Sequence, residues 1–206
     1  MRVHMNISKL LLVAGSSSTL AVGTYLAKER WMPSSSEMKP PKKSISQVLM
    51  ENKYVPLDPD RSDNWNTVLT KYNNAHSSAN RQEDQLKNYC RVLLDKKEFV
   101  DSDYKEARRW CVSPQTVTER LALFKKTPLS TNDPGTTDDN DWKQKIASHG
   151  HATKNKLTHT FNGDETQNLK GIKAECKTLN EKSNDLETFE DDFSKSFDWC
   201  SKDTQS

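Results

Sequence analysis

Four cysteines constrain this chain most, because they arrive as two matched pairs. Residues 90–111 read C-R-V-L-L-D-K-K-E-F-V-D-S-D-Y-K-E-A-R-R-W-C, and residues 176–200 read C-K-T-L-N-E-K-S-N-D-L-E-T-F-E-D-D-F-S-K-S-F-D-W-C. In both, a Leu follows the first Cys by three residues (Leu93, Leu179) and a Lys follows it by six (Lys96, Lys182). In both, an aromatic residue (Tyr104, Phe193) stands six before a closing Trp-Cys step, Trp110-Cys111 and Trp199-Cys200. An Asn/Asp-Trp step leads into each copy, at Asn64-Trp65 and Asp141-Trp142. The pattern predicts a duplicated helical module with one thiol pair in each copy.

The apolar spacing around the cysteines is helical. Leu86, Cys90, Leu93 and Leu94 fall at i, i+4, i+7 and i+8, and Tyr104, Ala107 and Cys111 at i, i+3 and i+7. Each Cys therefore belongs to the apolar face of its own helix. A break at Val100-Asp101-Ser102, with Asp101 or Ser102 as cap, would fold the pair into an αα-hairpin. Cys90 and Cys111 then stand level, which a disulfide requires. Leu169, Ile172, Cys176 and Leu179 repeat the theme, followed by Phe189, Phe193 and Cys200. There the level pairing is poorer. With a turn at Ser183-Asn184-Asp185, Cys200 lies further from it than Cys176, so either the turn is longer or the pairing differs. Locality and duplication favour Cys90–Cys111 and Cys176–Cys200, while four cysteines allow three connectivities.

The rest of the chain punctuates these helices. Pro33, Pro40 and Pro41 make residues 32–62 a spacer, with a short helix at Ile45–Met50 and a turn at Leu57-Asp58-Pro59-Asp60. The first module spans 63–128. It opens with Asp63 as N-cap of a helix carrying Trp65, Val68, Leu69 and Tyr72. Asn73 to Asn80 reads as a polar connection. Ser113-Pro114 opens a further helix striped by Val117, Leu121 and Phe124 and ended by Pro128. Residues 129–141 form a joint with a turn at Pro134-Gly135, and 142–203 form the second module. No segment alternates with the period of a strand.

Residues 10–27 carry no charge and are flanked by Lys9 and Lys28. As a helix they would span about 27 Å, close to a hydrocarbon core. Three readings stand: an uncleaved signal anchor over 1–31, a signal peptide cut near Ala21-Val22-Gly23, or a buried helix. The first two export the remainder, where cysteines oxidise. A hydrophobic fraction of only 33% in 206 residues gives each module a thin core that cross-links would support. Net charge is +2, with both signs interleaved, which excludes an electrostatic argument for nucleic acid.

Few residues carry candidate chemistry. His149-Gly150-His151 with His159 are metal-ligand types, but no H-E-x-x-H spacing accompanies them, and an exposed polar loop or helix end is the expected setting. Asp138-Asp139-Asn140-Asp141 is acidic, lacks the Gly and terminal Glu of a calcium loop, and leads into a helix, so capping is expected. Trp110 and Trp199 read as packing residues. The only site residues assigned are the disulfide cysteines Cys90, Cys111, Cys176 and Cys200; no catalytic residue, metal ligand or cofactor is assigned.

The short N-terminal apolar segment, the L-T-K-Y helix after Asp63-Asn64-Trp65, the run Y-K-E-A-R-R-W-C-V-S-P-Q-T-V-T-E-R-L at 104–121 and the terminal F-D-W-C at 197–200 give nearly the whole chain a likeness. It resembles the large paralogous families of uncharacterised proteins of haemotropic mycoplasmas. The resemblance implies a cell-surface or exported helical protein, with no residue role to carry over.

The expectation is an all-α protein of two duplicated helical-hairpin modules forming a small bundle, behind an N-terminal transmembrane or signal helix. It is expected in the cell membrane as a single-pass protein, held through residues 10–27, with its bulk extracytoplasmic. Its expected role is a surface interaction or antigen-like protein without catalysis, binding an unknown protein or host-surface partner and no nucleic acid. A structural envelope or scaffold protein is the alternative, and an enzyme of unknown type the third reading.

Overall fold

The computed structural model describes residues 42–61 and 64–204. Residues 10–27, Pro33, Pro40, Pro41 and Asp63, with the expectations placed on them, lie outside the described residues. The elements are α1 (Ile45–Glu51), α2 (Trp65–Ala75), α3 (Glu83–Asp95), α4 (Asp101–Trp110), α5 (Val117–Leu123), β1 (Lys126–Pro128), α6 (Asp139–His149), α7 (Glu165–Asn180), α8 (Phe189–Trp199) and β2 (Ser201–Asp203). The described residues are thus mostly helical, and among them no helix is long and apolar enough to cross a membrane.

The same local devices occur at matching places in 44–113 and 116–204. Ser44 heads α1 with a capping box, its hydroxyl accepting the Gln47 N–H while the Gln47 side chain accepts its own N–H. Thr116 and Glu119 form the same box ahead of α5. Both helices have seven residues. Two residues past the end of each stands a lysine in the left-handed region, Lys53 at φ 61° and Lys125 at φ 57°. An extended segment comes after each, K-Y-V-P-L at 53–57 and K-K-T-P-L at 125–129. The Leu57 N–H donates to the Cys111 carbonyl at 2.9 Å, and the Leu129 N–H donates to the Cys200 carbonyl at the same distance. The head of α1 hangs on Lys96 O through the Ile45 N–H, and the head of α5 on Lys182 O through the Val117 N–H.

Tryptophan completes the parallel. Trp65 and Trp142 are fully buried, and their indole N–H groups donate to the carbonyls of Asp58 and Ser130, each at 3.0 Å. Trp110 and Trp199, buried packing residues at the ends of α4 and α8, receive Tyr72 and His149 edge-on at 5.3 and 4.7 Å. Two cores result. One gathers Ile45, Leu49, Trp65, Leu86 and Trp110, and the other Leu129, Trp142, Ile172 and Trp199. Phe189 of α8 belongs to the first core, so α8 serves both. The described residues form one compact unit.

Several local expectations are corrected. The cap of α2 is Asn64, whose left-handed backbone (φ 62°) suits Asn better than most side chains, and α2 runs on through Asn73 and Asn74 to Ala75. The cap of α4 is Val100, whose N–H is held by the Asp103 carboxylate. Ser113-Pro114 does not open α5. The Ser113 N–H pairs with Val55 O, which keeps this stretch extended until Thr116 caps the helix. Pro128 lies in β1 rather than at a helix end. β1 and β2 are three-residue antiparallel strands, too short for a period-2 signal to register in sequence.

Candidate functional site

The sulfurs pair as Cys90–Cys111 and Cys176–Cys200, with Cα separations of 5.3 and 5.4 Å. In each pair the first Cys lies inside a helix (α3, α7) and the second caps the next one (α4, α8). The second cross-link closes a longer loop, with separations of 24 residues against 21. The extra length lies in the turn, since 181–188 replaces the shorter 96–100.

That longer turn is the seam of the molecule. Arg108, fully buried, donates to the carbonyls of Asn184 (2.8 Å) and Leu186 (3.0 Å), and Arg109 donates to the carbonyl of Asp185 (2.8 Å). Asn184 answers, its amide bonding Arg108 O while its side-chain oxygen accepts the Gln115 N–H. Lys71 of α2 bonds Ser183 and Asp185, each at 2.7 Å. Beside these, the exposed edge of Glu190 takes the Tyr54 hydroxyl and faces Arg108 and Arg120 at 4.0 and 3.8 Å. Burial first, and then the Glu190 carboxylate, push the Tyr54 hydroxyl far above its ordinary range. Arg120 is also sandwiched by Tyr54 (4.0 Å) and Phe193 (4.9 Å). These charges hold two halves together, and each is engaged by protein groups.

The histidines are not brought to one point. His149 is buried, accepts the Leu157 N–H at its Nε2, and packs on Phe161 and Trp199. It stands at the end of α6, one of the two settings expected for it, but buried rather than exposed, and burial holds its imidazole below the usual histidine range. His151 is exposed. His159 lies on Gly171 of α7, where a Cβ would come within 2.1 Å of the ring. The glycine inside a helix is thereby explained: only a bare backbone admits the imidazole. Among the described residues no group of three His, Cys, Asp or Glu could hold a metal ion. Asp138 occupies the N-cap position of α6 but does not cap it with its side chain. Its carboxylate takes Lys202 (2.6 Å) and the Ser130 N–H (2.8 Å), which hold it below the usual carboxylate range.

Two concave surfaces stand out. A groove of about 500 Å³ runs between α1, α3 and the extended segment 54–59, over Met50, Val55, Pro56 and Leu94. Met50 and Val55 are 54% and 62% exposed there, an apolar surface open to solvent. The second lies along α7 and α8 and mixes charged residues (Glu175, Lys182, Asp192, Lys195) with apolar ones (Ala174, Leu179). Sequence reasoning passed over both. The twin K-x-x-P-L segments and the twin S/T-x-x-Q/E boxes were visible signals for the first, since they fix where α1 and α5 begin and where the extended segment after each one starts. No protein-family model matches the chain, and no curated protein and no solved structure matches it.

Proposed function

We propose that this chain is an interaction protein built from two copies of one disulfide-closed, four-helix module, anchored through residues 10–27 and displayed outside the cell. The observation that carries the reading is the contrast between frame and face. Hydrogen bonds recur at matching places, from Leu57–Cys111 and Leu129–Cys200 to Ile45–Lys96 and Val117–Lys182. The exposed positions on that frame differ. Met50 and Val55 line the groove of the first half, and Ala122 and Thr127 stand at the corresponding places of the second. A frame kept by cross-links and caps, with exchangeable surfaces, suits recognition. Two disulfides in so thin a core also suit an oxidising compartment.

Protease treatment of intact cells, followed by mass spectrometry, tests the reading. Peptides from 42–204 should be released, with Cys90–Cys111 and Cys176–Cys200 linked, while a fragment holding 10–27 stays with the cells. A chain fully protected on intact cells, or carrying four free thiols, overturns it.

A further inference from the structure

A side-chain amide clamps the chain just ahead of α3 and just ahead of α7. In the first half Asn73 of α2 takes both backbone groups of Arg81, accepting its N–H at 2.8 Å and donating to its carbonyl at 3.0 Å. In the second half Asn168 of α7, 4% exposed, does the same to Asn162, accepting its N–H at 3.0 Å and donating to its carbonyl at 2.7 Å. The held residues differ. Arg81 precedes Gln82, whereas Asn162 precedes Gly163 in the one Asn-Gly step of the chain. The clamp of the first half can only hold its segment. The clamp of the second half grips a peptide unit that carries its own electrophile.

Asn162 and Gly163 are exposed, and the Gly163 N–H donates to no group among the described residues. A Cβ on Gly163 would meet nothing within 4 Å, so the step is open. The Asn162 side chain turns back along the chain, its Oδ1 accepting the Asp164 N–H at 2.8 Å. That bond closes a ring that contains the Gly163 nitrogen and keeps the carboxamide beside it. Both hydrogen bonds fall where negative charge develops if this nitrogen attacks Cγ of Asn162. Loss of the Gly163 amide proton spreads charge onto the Asn162 carbonyl oxygen, which the Asn168 amide faces. The attack then places charge on Oδ1, which the Asp164 N–H faces. Fixed donors at developing charge lower a barrier, and attack within one chain needs no encounter.

We infer that Asn162-Gly163 is a self-modification site, at which the chain turns its own asparagine into a succinimide and then, with water as the co-reactant, into aspartyl and isoaspartyl forms. The Gly163 N–H gives its proton to solvent base, and the nitrogen bonds Cγ. The Cγ–Nδ2 bond breaks, and the amide nitrogen takes a proton and leaves as ammonia. Water then adds to one of the two ring carbonyls. Opening at the new N–Cγ bond gives an aspartyl residue. Opening at the former peptide carbon gives an isoaspartyl linkage, in which the main chain runs through Cβ and Cγ and the carbonyl that Asn168 held becomes a carboxylate. Either product puts a new negative charge on the exposed loop ahead of α7. The chemistry is independent of where the chain is displayed; on a displayed chain it makes this face of the second half change with age.

Ageing the purified full chain in neutral buffer at physiological temperature tests it, with peptide mapping by mass spectrometry and fragmentation that separates aspartyl from isoaspartyl residues. Conversion should appear at Asn162 ahead of Asn74 and Asn155, which are also exposed. It should slow in mildly acidic buffer, where the Gly163 nitrogen keeps its proton. Gly163→Ala, for which the structure has room, should slow it severalfold by crowding the nitrogen. Asn168→Asp keeps the acceptor for the Asn162 N–H and loses the donor to its carbonyl. It should slow conversion roughly tenfold, the contribution of one hydrogen bond to a developing charge, with the circular dichroism spectrum retained. If Asn168→Asp unfolds the chain, Gly163→Ala at its exposed site still decides. An intact Asn162 while other asparagines convert, a rate indifferent to Gly163→Ala, or a folded Asn168→Asp chain that converts as fast as its parent overturns the inference.

Discussion

Residues 44–113 and 116–204 hold the same devices but use the turn between their last two helices differently. In the first half the turn is short, its Lys96 carbonyl receives the head of α1, and its Lys96 ammonium is held by Asp103. In the second half the turn still receives the head of α5 at Lys182 O, but its added residues reach across to Arg108, Arg109 and Lys71. A few extra residues have turned a local connection into an interface. The difference teaches that a repeated frame tolerates lengthening where its backbone bonds are made at the ends of a loop rather than along it. It also shows why the halves are not interchangeable. Arg108 and Arg109 stand where the second half has Phe197 and Asp198, so the docking surface does not recur.

The cross-links offer the largest test of this comparison. Replacing Cys90 and Cys111 together by Ser, or Cys176 and Cys200 together, should each cost about 3 kcal/mol by the chain-entropy estimate for loops of these lengths. Urea unfolding of the full chain measures it. A single transition in both variants means that the seam couples the halves, as a shared α8 requires. Two separated transitions would break the comparison by making each half fold alone.

The seam itself comes next. Arg108→Met removes the buried donors that serve Asn184 O and Leu186 O, and should cost about 2–3 kcal/mol. Replacing the counterpart residue, Phe197→Met, should cost less, about 1 kcal/mol, since Phe197 is only partly buried. Equal losses at the two positions would show that the turn at 181–188 contributes nothing as an interface.

A pH titration separates the halves chemically. Tyr72 packs on Trp110 in the first half, where His149 packs on Trp199 in the second. Burial lowers the folded-state pKa of His149 below its ordinary 6.5, so the unfolded chain binds the proton first as pH falls. Stability is fully present above about pH 6.5 and declines below it, at no more than about 1.4 kcal/mol per pH unit. His149→Phe should flatten that slope between pH 7 and pH 5. A slope unchanged by the substitution would assign the sensitivity elsewhere.

The smallest effect concerns the two left-handed lysines. Lys125→Gly should stabilise the chain by about 0.5 kcal/mol, because glycine carries no Cβ penalty at φ 57°. Lys53→Gly should gain nothing, since the Lys53 ammonium bonds Leu123 O at 2.7 Å and lies over Phe124. Equal gains at both would mean that this bond contributes no stability.

Much of the frame was legible in the chain. The helical spacing around Cys90, Cys111, Cys176 and Cys200 was readable because apolar residues on a packed helix must recur with its turn. The pairing within each segment was favoured by locality; the poorer match of the second pair left a longer turn or a different pairing open, and the turn is the longer one. The segment 113–116 misled, because Ser113-Pro114 is a good local helix start. A strand bond from Val55, far away in sequence, keeps it extended. The histidines misled for a similar reason. His149 reads as an exposed loop or helix-end residue until Leu157, Phe161 and Trp199 close over it.

By itself, then, the sequence determined most of the helices and favoured pairing within each cysteine segment, since both depend on residues within a few turns of one another. Only the tertiary structure decided that the turn at 181–188 would lie against Arg108 and Arg109, and that α8 would serve two cores. Those outcomes depend on which distant groups reach a carbonyl or a carboxylate first. Local periodicity carries no record of that competition.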